Sequence, residues 1–411
     1  MAMAPDGRRA GDADRAPGSV GPTVPPEPSF TVFGDHDPPV VRQLERCLAA
    51  EPGARGALCA DGHLGYSAPI GGVMAYREHV SPSGVGYDIG CGNKAVRTDL
   101  RADDLRPDVP RLMDRIVAEV SFGVGRRNPQ PVDHPVLDAI RAAPFAPQRR
   151  LHALAASQLG TVGAGNHYVD LFAGEDGAVW VGVHFGSRGF GHRTASGFLS
   201  LAAGRQFDQP GREGGMEAPP TLLSTGSELG QAYVEAMRLA GEYAYAGRDL
   251  VVDKVLEILG TRALESVHNH HNFAWRERHG GEDRWVVRKG ATPARPGQRG
   301  FVGASMGETS VILEGVESDR SAQALYSTIH GAGRAMSRRQ AKRALDWGAT
   351  RAQLREHGIE LRGGAADEAP GAYKRLTDVL AHHEGTVRVL HTLTPLGVAM
   401  AGPDVADPYK D

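Results

Sequence analysis

The sequence predicts a mixed α/β fold built as one large domain, and three observations carry that prediction. Residues 178–184, Ala-Val-Trp-Val-Gly-Val-His, form an apolar run that reads as a buried strand ending on a histidine. Residues 229–259 hold the strongest helical periodicity in the chain, with a break expected near Gly247. The chain has 54 glycines in 411 residues, about twice the usual share. They cluster in short motifs rather than in a repeat. Such clusters mark tight loops with special backbone angles, and they exclude collagen and a simple flexible linker.

In chain order, residues 1–28 are rich in Pro, Gly, Arg and Asp and have no apolar periodicity. They read as a disordered lead-in to a domain spanning 29–411. Val41, Leu44 and Leu48 lie at helical spacing and predict a helix over 38–51. Residues 57–100 alternate apolar pieces with glycine loops, which predicts strands and turns. A polar connection follows, then a helix from Val109 to Val120. Residues 204–220 are polar and Pro/Gly-rich and predict a loop. Further strands are expected over 305–315 and 386–393. No linker follows residue 30 and no internal repeat is visible, so one domain is expected rather than two.

The 46 basic and 49 acidic residues leave a formal charge of −3. That balance neither requires nor excludes a nucleic-acid partner. Three cysteines, Cys47, Cys59 and Cys91, with no secretory signal do not form a disulfide framework. A reducing cytoplasm is the expected location. No apolar run reaches about 18 residues, so no membrane span is expected.

Five motifs carry candidate chemistry. Gly84-Val-Gly-Tyr-Asp-Ile-Gly-Cys-Gly92 places Asp88 and Cys91 three residues apart in a glycine turn, where carboxylate and thiolate could share a divalent metal. A turn around a buried, inert cysteine would look the same. Gly160-Thr-Val-Gly-Ala-Gly-Asn-His-Tyr-Val-Asp170 could present Asn166 and His167 to a ligand, or be a hairpin turn. His184-Phe-Gly-Ser-Arg-Gly189 sets a histidine at a strand end beside Arg188, whose guanidinium could grip a phosphate. His268-Asn-His-His-Asn272 is a short histidine tract of the kind that binds metals, and its spacing does not choose among His268, His270 and His271. Ser327-Thr-Ile-His-Gly-Ala-Gly-Arg334 puts His330, a side-chain type able to act as a covalent nucleophile, ahead of small residues and Arg334. A helix N-terminus with a satisfied histidine would share that pattern. Arg288-Lys-Gly-Ala-Thr292 and Ser305-Met-Gly307 add candidate phosphate or nucleotide contacts, Lys289 and Ser305 among them. As a set, thiolate, imidazole and carboxylate suit Mn²⁺, Zn²⁺ or Fe²⁺ better than Mg²⁺ or Ca²⁺.

Taken in order, these motifs resemble the RtcB family of RNA ligases. The resemblance also includes Asp61-Gly-His-Leu-Gly65, His271-Asn272 and Glu368-Ala-Pro-Gly-Ala-Tyr-Lys374, and it covers nearly everything after residue 55. It implies a single domain of central β-sheets flanked by helices. It also implies a GTP- and Mn²⁺-dependent ligase joining RNA 3′-phosphate or 2′,3′-cyclic phosphate ends to 5′-hydroxyl ends, for tRNA splicing or RNA repair. By the same resemblance His330 is the residue that becomes guanylylated, and Cys91 bridges two metal ions. Asp88 and His167 complete one shell, and His184 and His271 the other. Asn166, Asp170, Ser305 and the Gly331-Ala332-Gly333-Arg334 turn contact the nucleotide; Arg188 and Lys289 contact phosphate or RNA. A monomer or weak dimer is expected, with an activating protein partner left open.

Two positions depart from the family. Asp170 stands where the family usually has a guanine-reading glutamate. Met400, in Pro395-Leu-Gly-Val-Ala-Met-Ala-Gly402, stands where it usually has a lysine. These departures keep two other readings open: a metal-dependent phosphoesterase on cyclic-phosphate RNA ends, and a non-catalytic protein that binds RNA ends. The intact His330-Gly-Ala-Gly-Arg334 motif favours the ligase, because hydrolysis alone needs no covalent histidine.

Overall fold

Apolar and β-branched residues alternate with glycine turns through the first third of the chain, and they pair into a sheet. The computed structural model describes residues 29–402. The expected lead-in, residues 1–28, lies outside the described residues. Strands Ser29–Val32, Arg55–His63, Ile70–Tyr76, Glu282–Lys289 and Asn272–His279 lie side by side in that order. The first two are parallel and the others antiparallel. Helix Pro38–Ala49 packs on this sheet through Val40, Leu44, Cys47 and Leu48, one helical face. It starts on a proline at its first turn, where the missing N–H costs nothing, and it matches the predicted helix to within two residues.

The second sheet runs Arg299–Val302, Ser310–Gly315, Val387–Met400, Tyr168–Gly174, Ala178–Phe185, Gly92–Arg101 and Ala263–His270. Short strand Glu360–Arg362 pairs alongside Val387–Met400. Its two ends approach each other. Asn93 Nδ2 donates to Phe301 O at 2.8 Å, and Phe301 N–H donates to Asn269 Oδ1 at 3.0 Å, so the sheet is nearly closed. Every residue of Ala178–Phe185 is buried, as a continuous apolar run in a central strand requires.

Helix Glu228–Leu259 starts at Ser227, whose hydroxyl accepts the Gly230 N–H, and ends on Gly260 at φ +68°. The break expected near Gly247 does not occur. A helical glycine costs about 1 kcal/mol relative to alanine, and packing on both sides of it outweighs that. Tyr233, Met237 and Ala240 enter one hydrophobic core, while Val251, Val252 and Val255 enter another.

Two strand boundaries also differ from expectation. The strand predicted over 305–315 begins only at Ser310, leaving Ser305 and Met306 in a turn. The strand predicted over 386–393 continues to Met400 across a register shift between Pro395 and Gly397. A bulge there absorbs the missing proline N–H. Residues 204–220 are irregular, as predicted. Among the described residues no helix is long and apolar enough to cross a membrane.

Candidate active site

The Asp88–Cys91 turn is set by local chemistry. Ser81 caps the short helix Pro82–Val85, accepting the Gly84 N–H. Gly86 at φ +88° and Gly90 at φ +71° then turn the chain so that Asp88 and Cys91 face the strand that ends at Phe185. A side chain at Gly186 would collide with the Asp88 carboxylate.

Cys91 Sγ lies 3.3 Å from His184 Nε2 and 3.8 Å from His167 Nε2. His167 Nε2 lies 3.2 Å from Asp88 Oδ2. His167 Nδ1–H donates to Val162 O at 3.1 Å, which orients the ring with Nε2 towards Asp88 and Cys91. The His271 ring packs 5.1 Å from that of His184, and its Nδ1 is buried with no hydrogen-bond partner among the described residues. Ligand atoms thus fall into two groups sharing Cys91: Asp88, Cys91 and His167, and Cys91, His184 and His271. Within each group they lie within 4.8 Å of one another.

Burial would raise the Asp88 carboxyl, but the hydrogen bond and charge of His167 hold it at about 2. Burial pushes the His184 and His271 imidazoles well below their usual range, so both offer lone pairs. Burial, then Asp88, pushes the Cys91 thiol well up. Coordination reverses that, because a bound cation ionises a thiol. This donor set fits divalent transition metals, and the orphaned His271 nitrogen fits a missing ligand bond.

Strand geometry resolves the histidine tract. His268 and His270 are two residues apart and face helix Glu228–Leu259, where the fully buried Arg248 meets both. Arg248 Nε donates to His268 Nε2 at 2.8 Å, and Nη2 lies 3.0 Å from His270 Nδ1. Nη1 donates to Gly90 O and Phe185 O at 2.9 and 2.6 Å, next to Cys91 and His184 in the chain. His271 points the other way, towards the ligand groups.

His330 follows strand Ser327–Ile329 and sits in a loop, not at a helix N-terminus. Its Nδ1 lies 2.6 Å from Asp61 Oδ2, which also accepts its backbone N–H at 2.8 Å. Burial would raise Asp61, but the charge and hydrogen bonds of His330 outweigh it and hold the carboxyl below its usual range. An ionised Asp61 makes Nδ1 the protonated nitrogen and leaves Nε2 as the lone pair. The His330 ring packs 4.9 Å from that of His271. Gly333, at φ +75°, permits close approach of the turn to the Asp61 backbone. Lys374 Nζ donates to Ala60 O and Gly62 O on either side of Asp61.

One cavity of about 280 Å³ joins these parts. Asp88, Cys91, Asn166, His167, Asp170, His184, His271, Ser305, His330, Gly331, Ala332, Gly333 and Arg334 all line it. Within it Tyr168 Oη, Asp170 Oδ1 and Ser305 Oγ are buried without a hydrogen-bond partner among the described residues. Met400 pairs with Tyr168 on the neighbouring strand and closes the same wall.

Two expected contacts are not brought to the cavity. Lys289 is buried, and its Nζ is held by Glu213 Oε2 at 2.7 Å, Tyr66 O and Ser83 O. An ammonium has three donors, so none is left for phosphate. Arg188 donates to Gly123 O and Thr161 Oγ1 and does not line the cavity. Conversely, sequence reasoning assigned no role to Asp61, His63, Arg248, Arg338 or Tyr373. His63 lines the cavity, and burial lowers it to about 4. Arg338 pairs with Asp367 and Glu368, and Tyr373 bonds Glu368 and Arg334. The Asp61-Gly-His motif was the available signal for the first of these residues.

Comparison with known proteins gives a consistent picture. The family described as tRNA-splicing ligase RtcB matches residues 46–146 and 140–401. The chain is 33% identical to the tRNA-splicing ligase RtcB of Thermococcus kodakarensis, over 82% of this chain and 86% of the relative. It is 33% identical to the RNA-splicing ligase RtcB of Escherichia coli, over 82% and 88%. It is 32% identical to the RNA-splicing ligase RtcB of Mycobacterium tuberculosis, over 82% and 94%.

Proposed function

The chain belongs to the RtcB family, and from that premise we propose that it is an RNA ligase. The reaction joins a 3′-phosphate or 2′,3′-cyclic phosphate end to a 5′-hydroxyl end, using GTP and Mn²⁺. Spliced tRNA halves and broken RNA carry such ends, and both are candidate substrates. A reducing compartment such as the cytoplasm would keep Cys91 free as a ligand.

The observation that supports this reading best is the place of His330. Its Nδ1 is tied to Asp61, and its ring packs on His271, in the cavity that holds both ligand groups. In the proposed reaction His330 Nε2 attacks the α-phosphorus of GTP. An N–P bond forms, the α–β P–O bond breaks, and pyrophosphate leaves. Asp61 offsets the positive charge that develops on the ring. The guanylyl group then passes to an oxygen of the RNA 3′-phosphate, breaking the N–P bond and freeing His330. The RNA 5′-hydroxyl attacks the activated 3′-phosphorus, and GMP leaves. A cyclic phosphate is first hydrolysed to the 3′-phosphate. Asp88 and His167 would hold one Mn²⁺ ion and His184 and His271 a second, with Cys91 between them. Bound Mn²⁺ would neutralise phosphate oxygens and the leaving pyrophosphate.

Incubation with Mn²⁺ and α-³²P-GTP, with ATP in parallel, tests the first step. Acid-labile label on the wild type that is absent from His330→Ala is the expected result. Absence of label from either nucleotide in metal-loaded protein would count against an unaided ligase.

A further inference from the structure

A second cleft, of about 660 Å³, has Tyr87 in its wall, the residue before Asp88. Consecutive residues therefore line the two spaces: Tyr87 the cleft and Asp88 the active cavity. The Tyr87 and His192 rings stack at 4.7 Å. Tyr87 Oη donates to Gly211 O at 2.8 Å and accepts the Glu213 N–H at 3.1 Å, which fixes the ring before any ligand arrives. Phe207 and Leu154 add apolar lining.

The charge on the cleft is positive. Arg193 and Arg212 line it, are exposed, and have no hydrogen bond or ion pair among the described residues. Its one acidic lining residue, Asp208, is 3.0 Å from Arg150 and largely offset by it. A fixed aromatic face beside unpaired guanidinium groups is what a single strand of nucleic acid requires, for base stacking and for its phosphates.

We propose that this cleft holds the single-stranded RNA nucleotides adjoining the end that reacts at the Cys91 centre. The inference rests on the RNA-ligase reading and adds the path of the strand. That Tyr87 and Asp88 are consecutive favours an RNA strand over a free nucleotide, because a strand is long enough to run from the cleft towards the active cavity.

The test uses the full chain and the double variant Arg193→Ala/Arg212→Ala. Both side chains are exposed, and the melting temperature serves as the control for folding. The probe is a 20-nucleotide single-stranded RNA with a 3′-phosphate. Its dissociation constant should rise about tenfold near physiological salt, and the slope of log affinity against log salt should fall by about two. Labelling of His330 by GTP in the absence of RNA should be unchanged. Unchanged RNA affinity and salt slope in the variant would overturn the cleft assignment and leave the ligase reading intact. Weakened GTP labelling with unchanged RNA binding would assign the cleft to the nucleotide and also overturn it. A wild type that binds no RNA would overturn both.

Discussion

Asp61 Oδ2 accepts two hydrogen bonds from His330, one from Nδ1 and one from the backbone N–H. The carboxylate therefore sets both the tautomer and the direction of the ring. Asp61→Asn keeps the shape and removes the charge. Loss of an orienting carboxylate behind a reactive histidine costs on the order of 10⁴-fold in the serine-protease case. Covalent labelling of the Asp61→Asn variant should fall by about 10²-fold to 10⁴-fold, measured as the initial rate with labelled GTP. A rate within about threefold of wild type would show that Asp61 does not orient the nucleophile.

The same pair fixes a pH dependence of stability. The folded Asp61 carboxyl titrates below its unfolded value, because His330 outweighs burial. Its contribution is present above the unfolded carboxylate pKa of about 3.9 and is lost as pH falls through the folded pKa. The melting-temperature gap between wild type and Asp61→Asn should be full above about pH 5 and should close as pH falls below about pH 4. A gap that widens on acidification would contradict the pairing.

Cys91 belongs to both ligand groups, whereas His271 belongs to one. Cys91→Ala should abolish binding of the first and the second equivalent of Mn²⁺. His271→Ala should weaken one and spare the other. Calorimetric titration of each variant measures this. Two intact equivalents in Cys91→Ala would rule out a shared thiolate.

Asp88, Cys91, His167 and His184 were legible as candidate ligands because each sits in a local motif, a glycine turn or a histidine at a strand end, whereas the spacing of the histidine tract did not single out His271. Arg248 was not legible, because an arginine within a helix carries no local signal, and the Asp61-Gly-His motif marked Asp61 without showing its partner. Asp61 meets His330 across 269 residues, and only the sheet pairings bring the two together. Lys289 misled for a related reason. Its motif reads as a phosphate contact, and its buried partner Glu213 lies 76 residues away. The long helix was legible from its periodicity. Strand order was not, because Tyr168–Gly174 pairs with Val387–Met400 across most of the domain.

Arg248 ties Gly90, Phe185, His268 and His270 together behind the ligands. Burial lowers its guanidinium to about 10, so it stays charged at neutral pH. A lysine keeps charge but has no planar fork to reach Gly90 O, Phe185 O and His268 Nε2 together. Arg248→Lys should therefore fold but bind metal about 10- to 100-fold more weakly, the usual effect of losing support behind a ligand. Co²⁺ titration should show a weaker thiolate-to-metal absorption band, with circular dichroism unchanged. Unaltered Co²⁺ affinity in a folded variant would mean that Arg248 serves packing alone.

Asp170, Tyr168 and Ser305 line the cavity and leave three buried polar atoms without hydrogen-bond partners among the described residues. Each such orphan costs about 1–3 kcal/mol until a ligand satisfies it, so these atoms should take the polar edge of a nucleobase. Burial raises the Asp170 carboxyl well above its usual range, and Met400 supplies no cation to counter that. A neutral carboxyl group both donates and accepts, and so can pair with the N1 and N6 edge of adenine. A carboxylate only accepts, and so matches the two donors at N1 and N2 of guanine. Labelling by GTP relative to ATP should therefore rise with pH, as Asp170 ionises. Met400→Lys should move the same preference towards GTP at fixed pH, by about 10- to 100-fold if the new ammonium makes a charged hydrogen bond of about 1.5–3 kcal/mol. Competitive labelling with both nucleotides across pH 6–9 measures each effect. A GTP-to-ATP ratio independent of pH and of Met400→Lys would place the base away from Asp170.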